Sequence, residues 1–470
     1  MTSVRWSRLI LVGLLAGLVG CAEGAVARQE GAGDARVGAD GAGGMGGGAG
    51  GLGGGAGGMG GMGGLGGQGG AGGCADEARR PCTSACGEGE EACENGTFGR
   101  CNAPLADADG QCPDGCTEAA RRPDAEQRVD RGPDPAWFPA LTPFMGGFVL
   151  AWGDHRDGPA GTTWVQRLTA AGAPTGEPVR VADRFFDALV PAGDRLAVIT
   201  VEVSRLAYSA VKAGEVEVGP VLLDDLGSVA LHAATWTGQH VALLYDRFQQ
   251  EGSERIYLAL ADLQGRVVTQ DVLLVPSVRL LSVAVQRLPD GYLVAWAEPH
   301  EGDPFAPDLF LARFNNAGER LGSTRTLTRG RDAVFAAGPA GFGLAFVAHR
   351  AGQPDAIGFQ ALSPVGEPAG APVLLSDSPA NARDPALAWS GSRYGVVWVD
   401  GRDPGPDLWF RPLAADGTPQ AAPARLVTQT GNESSPVLVY GENRFALAWF
   451  RTRDDDFTEV WSTTGPFLCE

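Results

Sequence analysis

Lysine is almost missing from this 470-residue chain; Lys212 stands alone, and arginine carries nearly all of the basic charge. With 56 Asp and Glu against 37 Lys and Arg, the formal charge is −19. A phosphate backbone or an anionic lipid surface needs a basic face, so no nucleic-acid partner is expected. Long apolar runs are also lacking. The one candidate, "LILVGLLAGLVG" at residues 9–20, is about a dozen residues broken by glycine, too short for a membrane span. The five histidines, His155, His232, His240, His300 and His349, show no close ligand spacing, and no metal or cofactor is expected. Even so, His155, His300 and His349 fall in corresponding turns of separate repeats, where they could converge. H-E-x-x-H, G-x-S-x-G and Walker signatures are absent, and G-x-G-x-x-G occurs only inside a glycine run. No catalytic residue is therefore assigned, and an enzyme is the least favoured class.

The N-terminus is more explicit. Arg5 and Arg8 precede the apolar run, which has the form of an export signal covering residues 1–20. It ends Leu18-Val19-Gly20-Cys21, which resembles the lipobox of bacterial lipoproteins. That resemblance implies cleavage before Cys21 and acylation of its side chain, hence a lipid bilayer as partner. With Ala22 rather than Asp next in the chain, it further implies the outer membrane of a Gram-negative bacterium. Residues 21–73 are dominated by glycine and read as a disordered, flexible tether. A coil of that length averages about 40 Å end to end and reaches about 170 Å when taut.

Seven cysteines then crowd into residues 74–118: Cys74, Cys82, Cys86, Cys93, Cys101, Cys112 and Cys116. The segment has few large apolar side chains, so cross-links rather than a core must hold it, and an exported chain meets an oxidising compartment. Paired C-x2-C spacings for zinc are missing. "CTSACGEGEEAC" resembles a trimmed form of the C-x3-C-G-x-G pattern of thrombospondin type 1-like modules. With Cys21 acylated, eight cysteines remain, and full pairing forces the distant Cys469 to join the cluster, Cys116 being the first candidate partner.

From residue 126 to 470 the chain repeats. "GGFVLAW", "DRLAVIT", "QHVALLY", "GYLVAW", "GFGLAF", "RYGVVW" and "NRFALAW" align Trp152, Thr200, Leu244, Trp296, Phe346, Trp398 and Trp449, at intervals of 48, 44, 52, 50, 52 and 51 residues. The sixth unit resolves into four short strand-like runs, "PALAWS", "RYGVVWV", "DLWFRPL" and "ARLVTQ". Seven units of four strands predict an all-β fold, a seven-bladed β-propeller preceded by the small disulfide-rich module and the linker. The last unit runs out of chain after its third strand. Val129 lies as far before Trp152 as Leu273 does before Trp296, so residues 126–131 are expected to supply the missing strand.

The sixth unit carries W-x-D-x-R followed by D-L-W-x-x-R, at Trp398, Asp400, Arg402, Asp407 and Arg411. This pattern resembles TolB-like and related secreted propellers, and the resemblance implies the fold while leaving the activity open. The recurring aromatics are expected to pack between blades. The charged turns after the second strands, notably Asp154, Arg156, Asp246, Arg247, Asp400 and Arg402, admit two readings. Each Asp–Arg pair locks its own turn, or the pairs line a rim that binds a protein or glycan partner. An envelope-assembly component and a glycan-active hydrolase or lyase are the alternatives. The sialidase S-x-D-x-G-x-[TS]-W box is absent.

Overall fold

The computed structural model describes residues 79–84, 87–94, 97–98 and 126–465, apart from short breaks at 131, 133, 158–159, 203, 248–253, 378, 404, 428–430 and 454. The signal segment, the tether, Cys21, Cys74, Cys86, Cys101, Cys112, Cys116 and Cys469 lie outside the described residues. In the cysteine-rich segment, Arg79–Ser84, Gly87–Glu94 and Thr97–Phe98 form a three-stranded sheet in that order, its last two strands antiparallel. Cys82 and Cys93 fall on its strands.

The body is all-β. Among the described residues the only helical element is the 3-10 turn Asp224–Leu226. Its strands form five four-stranded sheets and one of seven, antiparallel throughout, with neighbours following chain order in all but the last. Repeated up-and-down sheets of this kind are the blades of a propeller-type fold. Every aligned repeat segment is the second strand of such a set: Phe148–Asp154, Arg195–Glu202, Val241–Arg247, Gly291–His300, Gly341–Ala348, Tyr394–Asp403 and Arg444–Thr452. These strands have a sheet on both faces, which explains why they are apolar without alternation; all seven residues of Phe148–Asp154 are buried. Outer strands alternate instead, as in Glu215–Leu222, where every second residue faces water as far as Gly219.

A separate apolar cluster fills each junction between consecutive repeats. Tyr394 and Trp398 of the sixth repeat meet Phe359 of the fifth, and Trp449 meets Phe410 and Val397 of the sixth. Trp152, Leu141 and Phe148 of the first repeat pack with Val437, Val439 and Ala446 of the last. The recurring aromatics are thus packing residues, as their period implies.

Two features depart from a simple repeat. The seven-stranded sheet arises because Arg320–Gly338 is one continuous strand. Its first half pairs with Asp303–Asn315, Phe314 opposite Arg320, and its second half pairs with Gly341–Ala348, Ala336 opposite Gly343. The last sheet takes its fourth strand from upstream. Gln127–Arg128 pairs with Thr458–Gly465, Arg128 opposite Trp461, and the Val129 amide donates to the Val460 carbonyl at 2.9 Å. This is the pairing that the Val129 spacing predicts.

Charge holds the closing strand as well. Arg451 is 2 % exposed and bridges Glu433 at 2.7 Å and Glu126 at 2.8 Å. Asp130, fully buried, accepts the Val460 amide at 2.9 Å and pairs with Arg128 at 3.2 Å. Burial pushes the carboxyls of both Asp130 and Glu433 above the usual carboxylate range, with the neighbouring guanidinium pulling the other way.

Candidate functional site

The first strand of each repeat begins where the second ends, so both contribute to one end of the sheets; Ala136 stands opposite Asp154. At that end the first and sixth repeats build the same turn. Asp154, 1 % exposed, accepts hydrogen bonds from the Trp152 and Trp164 indoles at 3.3 and 3.1 Å and from Arg156 Nε at 2.7 Å. The Arg156 guanidinium lies over the Trp164 ring, 4.5 Å from its centre. Asp400 repeats this with Trp398 at 3.2 Å, the Arg402 amide at 3.0 Å and Arg402 Nη2 at 2.7 Å, and Arg402 sits 4.0 Å over Trp409. One carboxylate therefore ties an indole, a turn amide and a guanidinium, and the arginine caps the third-strand tryptophan. In these two repeats the Asp–Arg pair locks its own turn.

The third repeat does not follow. Asp246 faces His232 Nε2 at 3.3 Å, and Arg247 grips Asp271 at 2.5 and 2.6 Å, which the Tyr245 hydroxyl also contacts at 2.7 Å. Burial raises the Asp271 carboxyl, but the hydrogen bonds from Arg247 and Tyr245 outweigh it and hold it below the usual range. In the fourth repeat Glu298 replaces the aspartate and accepts from Trp296 at 2.6 Å, while His300 bridges Asp308 at 2.7 Å and Arg329 at 3.0 Å. In the seventh, the position two after the tryptophan is Arg451, and the negative charges come from Glu433 and Glu126. His349 pairs with Asp355 at 3.1 Å and His155 joins an aromatic group, so each of the three turn histidines is engaged in its own neighbourhood.

Burial, with Asp308 nearby, raises the Glu298 carboxyl, although Trp296 opposes the shift. A raised folded pKa gives stability that is present below the unfolded value of about 4.3 and is lost as pH rises through the folded value. Glu298→Gln keeps an acceptor for Trp296 and has nothing to ionise. Its melting temperature should exceed that of the wild type at neutral pH, with the gap closing as pH falls towards 4; a pH series of thermal melts checks this.

The turn locks leave little free chemistry, and a different set of residues at the same end stands out. The first strands carry a recurring irregularity in register, between Trp137 and Ala140, Arg331 and Val334, Arg383 and Ala386, and Ser434 and Val437. Each holds one non-glycine residue in the left-handed region: Phe138 at φ 61°, Asp332 at 52°, Asp384 at 52° and Ser435 at 48°. Aspartate and serine are short polar residues; a phenylalanine there is a genuine outlier. Phe138 lies 6.0 Å from Phe185, edge to face, and Phe185 also meets Trp137 at 6.2 Å and His155 at 5.0 Å. Phe185 rests on a glycine floor: a Cβ at Gly153 or Gly161 would come within 2.3 or 2.6 Å of its ring. All four aromatic side chains are half-buried.

The sequence reading missed this group, although "WFPAL" beside "RDPAL" and "SSPVL" was its signal. At the register where two sister repeats have Arg331–Asp332 and Arg383–Asp384, the first repeat has Trp137–Phe138. Arg331 pairs with Asp332 at 2.9 Å and Asp355 at 3.0 Å, and Arg383 pairs with Asp384.

No family model matches the chain, and no curated protein matches it. Solved structures are similar in part. A prolyl endopeptidase aligns at 18% identity over 70% of this chain and 47% of its own, TM-score 0.42. The Pyrococcus horikoshii acylaminoacyl peptidase aligns at 10% identity over 70% and 50%, TM-score 0.43. The Trypanosoma rangeli sialidase bound to 2,3-difluorosialic acid aligns at 9% identity over 72% and 59%, TM-score 0.42. The chain spans about half the length of the two peptidases.

Proposed function

We propose that residues 126–470 close into a seven-bladed propeller, carried on an acylated Cys21 and a glycine-rich tether at a bacterial outer membrane, and that the body binds a protein or glycan at the end bearing Trp137 and Phe138. The apolar cluster between the first and last repeats and the borrowed strand at residues 127–128 support a closed ring, with the seven-stranded sheet counting as two blades. The cysteines of residues 74–118 and Cys469 are read as disulfide-bonded. Asp154, Arg156, Asp400 and Arg402 shape the rim that this end presents, and Asp246 and Arg247 belong to the same rim.

One observation carries the binding reading. A bulky aromatic is kept in a left-handed backbone conformation, which costs about 1–3 kcal/mol, where sister repeats use aspartate or serine. Such strain collects at ligand-contacting positions, and half-buried aromatics are the usual anchors of a recognition surface.

The test is capture from detergent-solubilised envelope, together with a glycan array, using the full-length protein and Trp137→Ala. The reading expects a ligand held by the wild type and lost by the variant. Co-purification of an envelope protein that ignores the substitution would point to an assembly component instead, and turnover of a glycan to an enzyme. Detergent partitioning tests the anchor: Cys21→Ser should leave the detergent phase.

A further inference from the structure

At the opposite end of the first two sheets lies a cavity of about 330 Å³. Phe144, Val149, Val165, Val179, Leu196 and Val211 line it, with Arg167 and Glu177 also on its wall. The volume falls within the range of small-molecule pockets. Its depth belongs to the apolar cluster joining the first and second repeats, since Val149, Leu196 and Val211 are nearly fully buried. Its two charged residues are exposed. Among the described residues, the side chains of Arg167 and Glu177 make no ion pair or hydrogen bond with each other or with any other group, although most arginines of this body are paired. The register explains why they stay apart. Arg167 stands opposite Thr175 and Val165 opposite Val179, so Glu177 falls in the intervening irregularity rather than across from the arginine. The stem of Arg167 passes beside Gly214, whose own φ is 90°.

We infer that this cavity binds a free apolar α-amino acid, its side chain laid against Phe144 and Val179 over the packed floor, its carboxylate on Arg167 and its ammonium on Glu177. One unpaired cation and one unpaired anion at the edge of an apolar pocket complement a small zwitterion with an apolar body. A plain hydrocarbon would leave both charges unused, and a polar amino acid would lose its side-chain hydration without return. This site is independent of the aromatic group at the other end, and either can fail without the other.

The experiment is isothermal titration, with thermal melts alongside, of the full-length protein against L-leucine, L-phenylalanine and L-serine, and against N-acetyl-leucine and leucine amide, each of which lacks one of the two charges. Leucine or phenylalanine should bind saturably and raise the melting temperature; serine, which lacks the apolar body, and the two blocked forms, each short of one charged hydrogen bond, should bind at least about tenfold more weakly. Arg167→Met and Glu177→Gln, both at exposed positions and with the fold checked by circular dichroism, should each weaken leucine by about tenfold or more. No binding of either apolar amino acid would overturn the inference. So would N-acetyl-leucine binding as well as leucine, or leucine affinity unchanged by Glu177→Gln.

Discussion

Arg451→Met is expected to destabilise the body by about 3–5 kcal/mol, the usual cost of removing one partner from a buried ion pair. Arg451 is 2 % exposed between Glu433, which is fully buried, and Glu126, which directly precedes the strand Gln127–Arg128. Without the guanidinium both carboxylates lose their counter-charge, and the pairing of Gln127–Arg128 with the last sheet loses its anchor. The sign with pH is fixed. Burial already raises the Glu433 carboxyl, and losing Arg451 raises it further. A raised folded pKa contributes stability below the unfolded value and loses it as pH climbs through the folded one. The defect should therefore be largest at neutral pH and shrink in acid. Arg451→Met with Glu433→Gln and Glu126→Gln should recover most of the loss, because a neutral set removes the uncompensated charges. Denaturant melts at pH 7 and pH 4.5 distinguish this from simple lost packing, which would not depend on pH.

Trp398→Ala should cost about 3–5 kcal/mol, the range for a large aromatic cut from a packed core. The ring is fully buried between the fifth and sixth repeats, and its indole donates to Asp400 at 3.2 Å. Trp461, on the third strand of the last sheet and only partly buried, should cost clearly less on the same change. Chemical denaturation of the two variants side by side checks the order. Equal losses would mean that the recurring second-strand aromatic is not the packing residue its period suggests.

Much of the fold was legible because its causes are local. Seven apolar strands, five of them with an aromatic at the same place, announce themselves by period, and the borrowed strand follows from one interval, Val129 to Trp152. What escaped depends on partners far apart in the chain. Nothing near Arg451 shows that its counter-charges are Glu433 and Glu126, one of them more than 300 residues away. Nor does the stretch from Arg320 to Gly338 show that it serves two sheets without a break. At the candidate site, the Asp–Arg turns were visible as motifs, and two of them proved to be locks. The third broke the pattern because Asp271, two strands away on the fourth strand of the same repeat, takes Arg247. The aromatic group was readable only by comparing one repeat with its sisters, since a left-handed φ leaves no mark on composition.

Phe138→Gly puts the proposed role of that group to its most direct test. Glycine adopts a φ of 61° without strain, so the variant should melt at the same temperature as the wild type or higher. If the phenylalanine is retained for recognition, the same variant should lose the ligand captured by the wild-type protein, with affinity reduced about tenfold or more, the scale of an interface anchor. Stability kept and binding lost is the result predicted. Binding unchanged in Phe138→Gly, or a fall in melting temperature showing that the ring is there to hold the fold, would contradict it.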